Sequence, residues 1–216
     1  MTSNKEEYLK VLYENNGAKL SVPNKLIADA MGVAPSSVTE MLNKLKEEGL
    51  VTTQPYKGSM LTEEGLMICL TIMRSEQLWE VFLVEHLGYS WREAHEDAHL
   101  LEHVTPSRLM DRLDEFLGHP KTCPHGALIL REDNKPPKKP LTRLSDLRKG
   151  SEAIIRRVDE NVTLLDYLQR IDFKIGVEIK ILEVSDYDGP IKYLEGKSEK
   201  SISFKASKEV YVEALF

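Results

Sequence analysis

The chain has 216 residues, enough for one large domain or two to three small ones with buried cores, which excludes a short disordered tail. Hydrophobic residues make up 41 % and charged residues 30 %, and no apolar run reaches the ~18 residues that span a bilayer, so we expect no membrane association. The formal net charge of −6 argues against a polyanionic partner for the chain as a whole. Two cysteines are too few for a disulfide framework and the N-terminus has no signal-peptide pattern, so we expect a cytoplasmic protein.

The first part of the chain has the pattern of a winged helix-turn-helix. Apolar periodicity and a short turn after Gly32 predict three helices, over 4–15, 25–31 and 35–48. Two short β-type runs, 50–53 and 58–62, follow and predict a hairpin wing. This order is typical of proteins that bind double-stranded DNA.

In such a domain the third helix enters the major groove with its N-terminus leading. The residues expected to face bases and phosphates are Pro35, Ser36, Ser37, Thr39 and Glu40. The expected phosphate contacts, which add affinity but little sequence specificity, are Lys44, Lys46, Tyr56 and Lys57.

Three further helices are predicted over 62–87, 91–103 and 105–117. Apolar helices outside a winged domain commonly form a dimer seam, so we expect a homodimer and a palindromic operator. A polar, proline-rich linker is predicted over 132–140.

The last part of the chain predicts a small SH3-like β-barrel. Its expected strands are 153–158, 177–184, 191–194, 202–204 and 210–212, with one helix over 163–170. The predicted fold class is therefore α+β, with a winged helix-turn-helix over 1–73, a helical dimerisation and metal-binding domain over 74–131 and the barrel over 141–216.

The acidic excess is confined to the middle of the chain. Residues 1–74 carry a net charge of −1, residues 75–130 a net charge of −6 and residues 131–216 a net charge of +1. All six histidines, together with Cys123, lie in the acidic segment. Imidazole, thiolate and carboxylate gathered in this way indicate a divalent transition-metal site, whereas an acidic solvated helix face is the simpler alternative.

The densest metal-binding pattern lies in the second of the middle helices. His95, His99, Glu102 and His103 share one helix face. The same segment matches the zinc-peptidase motif H-E-x-x-H, in which Glu96 would be the general base. A zinc metallopeptidase is therefore an alternative, although the chain has no obvious substrate cleft.

The order of these features resembles the diphtheria toxin repressor family, and within it the manganese-sensing branch that keeps a third, iron-transport-A-like domain. The resemblance covers essentially the whole chain. The segments that carry it are Pro35–Thr39, Glu80–Leu83, His95-Glu96 with Glu102-His103, and Cys123-Pro124-His125-Gly126, followed by the linker and the barrel.

The resemblance implies a non-enzymatic, homodimeric repressor of metal-uptake genes with two ions per chain. One implied site combines Glu80, Cys123, His125 and a barrel carboxylate, either Glu160 or its neighbour Asp159. The other combines Glu7, Glu76, His99, Glu102 and His103, and His95 is a further ligand or supporting group.

Two residues of the second implied site depart from the branch, which usually has histidine at 76 and glutamate at 99. Here Glu76 and His99 look exchanged, which would keep the number of ligands and their charge. On that hypothesis the double substitution Glu76→His with His99→Glu leaves metal affinity close to that of the natural chain. The alternative is a weakened second site, with sensing by the Cys123 site alone.

Carboxylate-rich ligation favours Mn²⁺, with Fe²⁺ as the alternative, whereas Cys123 favours softer ions such as Zn²⁺. A third class of protein is also compatible with the sequence. It is a winged-helix regulator that holds only a structural ion and senses another signal through the barrel.

Overall fold

The computed structural model of the protein describes residues 1–129 and 140–215. It has two compact units, one formed by Met1–Glu76 with His99–Met110 and the other by Gln77–Ala98 with Asp111–Phe216. The predicted linker, 132–140, lies outside the described residues apart from Pro140. In the part of the chain that is described, no helix is long and apolar enough to cross a membrane.

The first unit contains the winged helix-turn-helix that the sequence predicts. Its elements are α1 (Ser3–Glu14), α2 (Asn24–Met31), α3 (Pro35–Glu47), β1 (Val51–Gln54) and β2 (Gly58–Leu61). Gly32 ends α2 in the left-handed conformation, with φ of 64°, and Pro35 occupies the first turn of α3, where a proline costs no hydrogen bond. β1 and β2 pair antiparallel from Val51↔Leu61 to Gln54↔Gly58 and form the wing.

One hydrophobic core joins α1 to the helix-turn-helix. Leu9 and Leu12 of α1 are fully buried with Ile27 of α2 and with Val38 and Leu45 of α3. Because close-packed cores transmit displacement, this shared core couples the position of α1 to that of α3.

Three further helices follow: α4 (Glu63–Leu87), α5 (Trp91–Leu101) and α6 (Ser107–Phe116). The backbone N–H of Gly65 donates to Thr62 Oγ1 at 3.1 Å, which caps α4. A capping box begins α5, because Glu93 N donates to Ser90 Oγ (3.2 Å) and Ser90 N donates to Glu93 Oε2 (2.9 Å).

The remaining elements of the second unit form a six-stranded antiparallel sheet with the order β3-β8-β4-β5-β6-β7. The strands are β3 (Thr142–Arg143), β4 (Glu152–Val158), β5 (Glu178–Val184), β6 (Ile191–Glu195), β7 (Ser198–Ile202) and β8 (Val210–Leu215), with helices α7 (Val162–Arg170) and α8 (Phe204–Ser207). A single 3-10 turn, Leu144–Asp146, follows β3. The predicted α+β class, with a winged domain, a helical segment and an SH3-like sheet, is confirmed.

One predicted strand, 202–204, is wrong in its position. The strand runs over Ser198–Ile202, and Phe204 instead begins α8. The reason is local, because the Ser203 side chain accepts a hydrogen bond from Ala206 N at 3.2 Å and thereby caps the short helix.

Asn161 caps α7 immediately after β4, since its Oδ1 accepts from the N–H groups of Thr163 (2.9 Å) and Leu164 (3.2 Å). We expect Asn161→Ala to lower the free energy of unfolding by about 1 kcal/mol because both groups lose their acceptor. Asn161→Asp, which keeps an acceptor oxygen, is the control. Equal unfolding midpoints for Asn161→Ala and the natural chain in urea would contradict this role.

Candidate metal centres and nucleic-acid interface

The N-terminal half of α3 presents an exposed polar surface. All nine residues predicted to contact DNA are exposed: Pro35, Ser36, Ser37, Thr39, Glu40, Lys44, Lys46, Tyr56 and Lys57. Val38 and Leu42, between them, point into the core. The structure thus separates the two faces of α3 as a recognition helix requires, and the DNA contacts themselves remain a prediction.

Three of these side chains have hydrogen-bond partners: Glu40, Lys44 and Thr39, whose Oγ1 donates to Pro35 O at 3.0 Å and accepts from Asn24 Nδ2 at 3.3 Å. Lys44 Nζ donates to Glu40 Oε1 at 2.7 Å, an exposed pair one helical turn apart. This contact favours the charged form of both groups, lowering the pKa of Glu40 and raising that of Lys44. At the tip of the wing, Tyr56 is fully exposed in the left-handed conformation, with φ of 62°.

The structure brings together four side chains of the second unit, here called the cysteine cluster: Glu80, Cys123, His125 and Glu160. Each offers one ligand atom, and these atoms all lie within 4.8 Å of one another. Glu80 comes from α4, Glu160 from the connection between β4 and α7, and the other two from the loop after α6. Three of the four are buried, and only Glu160 is exposed.

Backbone hydrogen bonds fix the loop that carries Cys123 and His125. Cys123 N donates to Ala127 O (2.9 Å), Gly126 N donates to Cys123 O (3.0 Å), and Val158 N at the end of β4 donates to His125 O (2.9 Å). A Cβ atom at Gly126 would lie 1.9 Å from Arg156 O, and the residue has φ of +84°. Only glycine allows the loop to approach β4 this closely.

Of the two barrel carboxylates left open by the sequence, Glu160 is the one in the cluster. Its Oε1 lies 3.7 Å from Cys123 Sγ and 3.6 Å from His125 Nδ1. Asp159 instead accepts from the Tyr211 hydroxyl at 3.2 Å and lies 3.7 Å from Arg157 Nη2. His95 borders the cluster, with its Nδ1 3.1 Å from Glu80 Oε1.

The charges in the cysteine cluster shift its titration. Burial raises the pKa of the Cys123 thiol to about 12. Burial alone would lower the pKa of His125, but the carboxylates of Glu80 and Glu160 raise it to about 12. Without an ion, the thiol and the imidazole therefore both keep their protons near neutral pH.

The residues fit a bound metal ion. Both ring nitrogens of His125 are buried and make no hydrogen bond of normal geometry to any described residue, although Nδ1 lies 3.3 Å from Glu80 Oε2. Buried polar groups normally have hydrogen-bond partners. The His125 imidazole lies instead beside a thiol and two carboxylates, and these four groups together are a donor set that binds a transition-metal ion.

A second group, here called the histidine cluster, lies in the first unit and consists of Glu7, His99, Glu102 and His103. Its ligand atoms also lie within 4.8 Å of one another. His103 Nε2 is 2.8 Å from Glu7 Oε1 and 3.4 Å from Glu102 Oε1, and His99 Nδ1 is 3.3 Å from Glu102 Oε1. Glu102 is buried, and its Oε2 makes no hydrogen bond to a described residue, so this donor set also fits an ion.

Two charged residues at the histidine cluster were not predicted from the sequence. Glu6 Oε2 lies 2.5 Å from His103 Nδ1. Lys10 is buried and donates to Glu76 and Glu102, at 2.8 and 2.7 Å. Burial alone would lower the pKa of Lys10, but those two carboxylates outweigh it and raise the pKa. Glu76, predicted as a ligand, is thus an ion-pair partner of Lys10 and lies 3.7 Å from His99.

The sequence does contain a signal for Lys10. It follows Glu6 and Glu7 by one turn of α1, so its side chain lies on the same helix face as theirs. Hydrogen bonding to Glu102 and Glu76 also raises the pKa of His99, to about 10. Burial raises the pKa of Glu102 itself.

The peptidase alternative receives no support. Its two histidines join different clusters, since His95 contacts Glu80 and His99 contacts Glu102. The expected general base, Glu96, is exposed and pairs with Arg92 Nε at 2.9 Å.

Comparison with known proteins agrees with this organisation. Residues 1–59 match the N-terminal DNA binding domain of iron dependent repressors, residues 62–131 match their metal binding and dimerisation domain, and residues 142–214 match the FeoA domain.

Two solved structures cover nearly the whole chain, and a curated relative covers about half of it. The structure of a manganese-dependent transcriptional repressor in complex with manganese is 30% identical with a TM-score of 0.84, over 98% of this chain and 100% of that one. The structure of ScaR with bound Cd²⁺ is 37% identical with a TM-score of 0.79, over 98% and 100%. An uncharacterised HTH-type transcriptional regulator of Methanocaldococcus jannaschii is 34% identical over 54% of this chain and 94% of its own length.

The close approach at Gly126 makes a specific prediction. Gly126→Ala should destabilise the protein by at least about 2 kcal/mol, because the new methyl group meets the Arg156 carbonyl in a backbone conformation unfavourable for alanine. Gly118→Ala is the matched control, because Gly118 has φ of +71° but a Cβ there meets nothing within 4 Å. Equal unfolding midpoints for the two variants in denaturant would contradict the steric argument.

The raised pKa values of Cys123 and His125 predict proton release on metal binding. A metal needs the thiolate and the neutral imidazole, so Mn²⁺ affinity at the cysteine cluster should rise about 10- to 100-fold per pH unit near neutrality, with roughly one to two protons released per ion. Calorimetric titration in buffers of different ionisation enthalpy measures this number. Cys123→Ser should release about one proton fewer, and the absence of any release from the natural chain would contradict the assignment.

Proposed function

The chain belongs to the diphtheria toxin repressor family of metal-dependent transcriptional repressors, and we propose that it senses Mn²⁺, with Fe²⁺ as the alternative. As a homodimer it would bind palindromic operators of metal-uptake genes when loaded with two ions per chain. The observation that carries the proposal is the pair of clusters, each assembled from separate segments of the chain.

Each cluster supplies one ligand set. Glu80, Cys123, His125 and Glu160 would hold one ion, with His95 supporting Glu80. Glu7, His99, Glu102 and His103 would hold the other. When bound, a divalent ion supplies two positive charges and fixed coordination directions at each cluster.

The mechanism follows from where the ligands sit in the first unit. Glu7 lies on α1, whose opposite face shares a core with the recognition helix α3. His99, Glu102 and His103 lie on and just after α5. When residues of α1 and of the end of α5 bind one ion, they fix the position of α1 relative to the end of α5. Through the shared core they also fix the direction of α3.

The carboxylates of the histidine cluster make its arrangement sensitive to added positive charge. Glu7 and Glu102 face the same small volume, and burial raises the pKa of Glu102 because its negative charge is costly there. A divalent ion that binds this arrangement more tightly than others adds to the positive charge that Lys10 already provides and shifts the population of conformers toward it.

The DNA surface would use the exposed side chains of α3 and the wing. Pro35, Ser36, Ser37, Thr39 and Glu40 would face the groove, with Lys44, Lys46, Tyr56 and Lys57 at the phosphates. The net charge of −6 over residues 75–130 disfavours approach to DNA, so partial neutralisation of that segment should also raise DNA affinity.

Mn²⁺ is favoured by the carboxylates of both clusters, and a similar structure holds manganese. Cys123 would also accept softer ions, and ScaR has been solved with Cd²⁺. The dimer would form through 74–131, within the segment that matches the dimerisation domain. The further domain limits, 1–73, 132–140 and 141–216, are part of the same proposal.

A DNA-binding titration tests the proposed function. We expect Mn²⁺ to lower the Kd for a palindromic fragment upstream of a metal-uptake gene at least about tenfold relative to chelator-treated protein. Glu102→Ala and His125→Ala should each reduce this response. Fluorescence anisotropy measures the Kd.

The matched controls are exposed residues outside both clusters. Glu96→Ala, which loses only its pair with Arg92, and His119→Ala, which loses only its contact with Asp114, should respond to Mn²⁺ like the natural chain. DNA binding that is equal with and without metal would indicate a structural ion only and would overturn the sensor proposal.

A further inference from the structure

Lys10 is a buried cation placed directly against the histidine cluster. Its side chain extends from the second turn of α1, and the residue is 6% exposed. Its ammonium lies 2.8 Å from Glu76 Oε2, 2.7 Å from Glu102 Oε1 and 3.5 Å from His99 Nδ1. A lysine is seldom buried to this degree unless it is paired, and here it is paired with two carboxylates.

Lys10 donates its hydrogen bond to Glu102 Oε1, the same oxygen that lies nearest the imidazoles of His99 and His103. Glu102 Oε1 lies 3.3 Å from His99 Nδ1 and 3.4 Å from His103 Nε2, and it accepts the hydrogen bond from Lys10. An ion held by Glu102 and both histidines would therefore share this oxygen with an ammonium group or displace it.

The ion pair with Lys10 also determines the position of Glu76. Glu76 Oε2 is bound to Lys10, while its other oxygen lies 3.7 Å from His99 Nδ1. The four residues whose ligand atoms converge within 4.8 Å are Glu7, His99, Glu102 and His103, without Glu76.

We propose that Lys10 is a resident cation of the histidine cluster, which competes with the second metal ion and holds Glu76 out of its ligand set. Lys10 thereby sets the ion concentration at which this cluster loads. The inference rests on the proposed function, because it concerns the second of the two proposed ions.

The charge balance gives the direction of the effect. With Lys10 present, the carboxylates of Glu76 and Glu102 are compensated before an ion arrives, so less electrostatic energy is gained on loading. The ammonium also repels a divalent ion a few ångströms away, in a site where water screens poorly. Both effects lower affinity, so removing the charge of Lys10 should raise it.

The test is a Mn²⁺ titration of the full chain, with free ion measured by electron paramagnetic resonance and the two binding steps fitted separately. Lys10→Met should raise the affinity of the histidine-cluster step at least about tenfold. Lys10→Arg, which keeps the charge, should stay within about threefold of the natural chain. Lys5→Met is the control on the same helix, because Lys5 pairs with Glu48, and it should change nothing.

A second arm tests the role of Glu76. Glu76→Gln should change the affinity of this step less than about threefold in the natural chain, because Glu76 is bound to Lys10. In the Lys10→Met chain it should lower the affinity at least about tenfold, because the released carboxylate can then join the ion. An equal and large loss in both chains would show that Glu76 is a ligand beside Lys10 and would overturn that part of the proposal.

Lys10 as a competitor is refuted if Lys10→Met leaves the second step unchanged, weakens it or abolishes it. Lys10→Gln keeps hydrogen-bond donors without the charge and provides the same test if Lys10→Met does not fold, as checked by circular dichroism. Failure here is distinct from failure of the proposed function, which is judged by the metal response of DNA binding in the natural chain.

Discussion

The structure is organised around buried carboxylates that require positive charge. Glu80 and Glu102 are almost fully buried, each in a different compact unit. Burying a carboxylate is costly unless it is paired, and here the partners include imidazoles and one lysine. A bound divalent cation would add positive charge beside these carboxylates, so we propose that the arrangement of each cluster depends on it.

The connection between this charge and DNA passes through the hydrophobic core. Along α1, Glu7 and Lys10 face the histidine cluster, while Leu9 and Leu12 pack against the helix-turn-helix. One helix therefore carries both the sensing side chains and the apolar contacts that hold the recognition helix. In the mechanism that we propose, a change in charge balance on one side of α1 would change the orientation of α3 on the other side.

Much of this could be predicted from sequence because the signals are local. Helical periodicity located α1 to α7. The ligand set of the cysteine cluster was implied instead by the family resemblance that the Cys-Pro-His-Gly segment and Glu80 help to carry, and the structure brings its four residues together. The strand at 202–204 was wrong because a single side chain, Ser203, caps a helix there. Lys10 was missed because sequence spacing places it on the correct face of α1 but does not indicate whether a long, flexible side chain turns inward. Its contacts with Glu76 and Glu102 join residues 66 and 92 positions apart.

The central claim, that two cation-dependent clusters exist on each chain, is tested most directly by anomalous diffraction at the manganese absorption edge from crystals grown with Mn²⁺. We expect two peaks per chain. One should lie among Glu80, Cys123, His125 and Glu160, and the other among Glu7, His99, Glu102 and His103. A single peak, or manganese bound outside these two clusters, would contradict it.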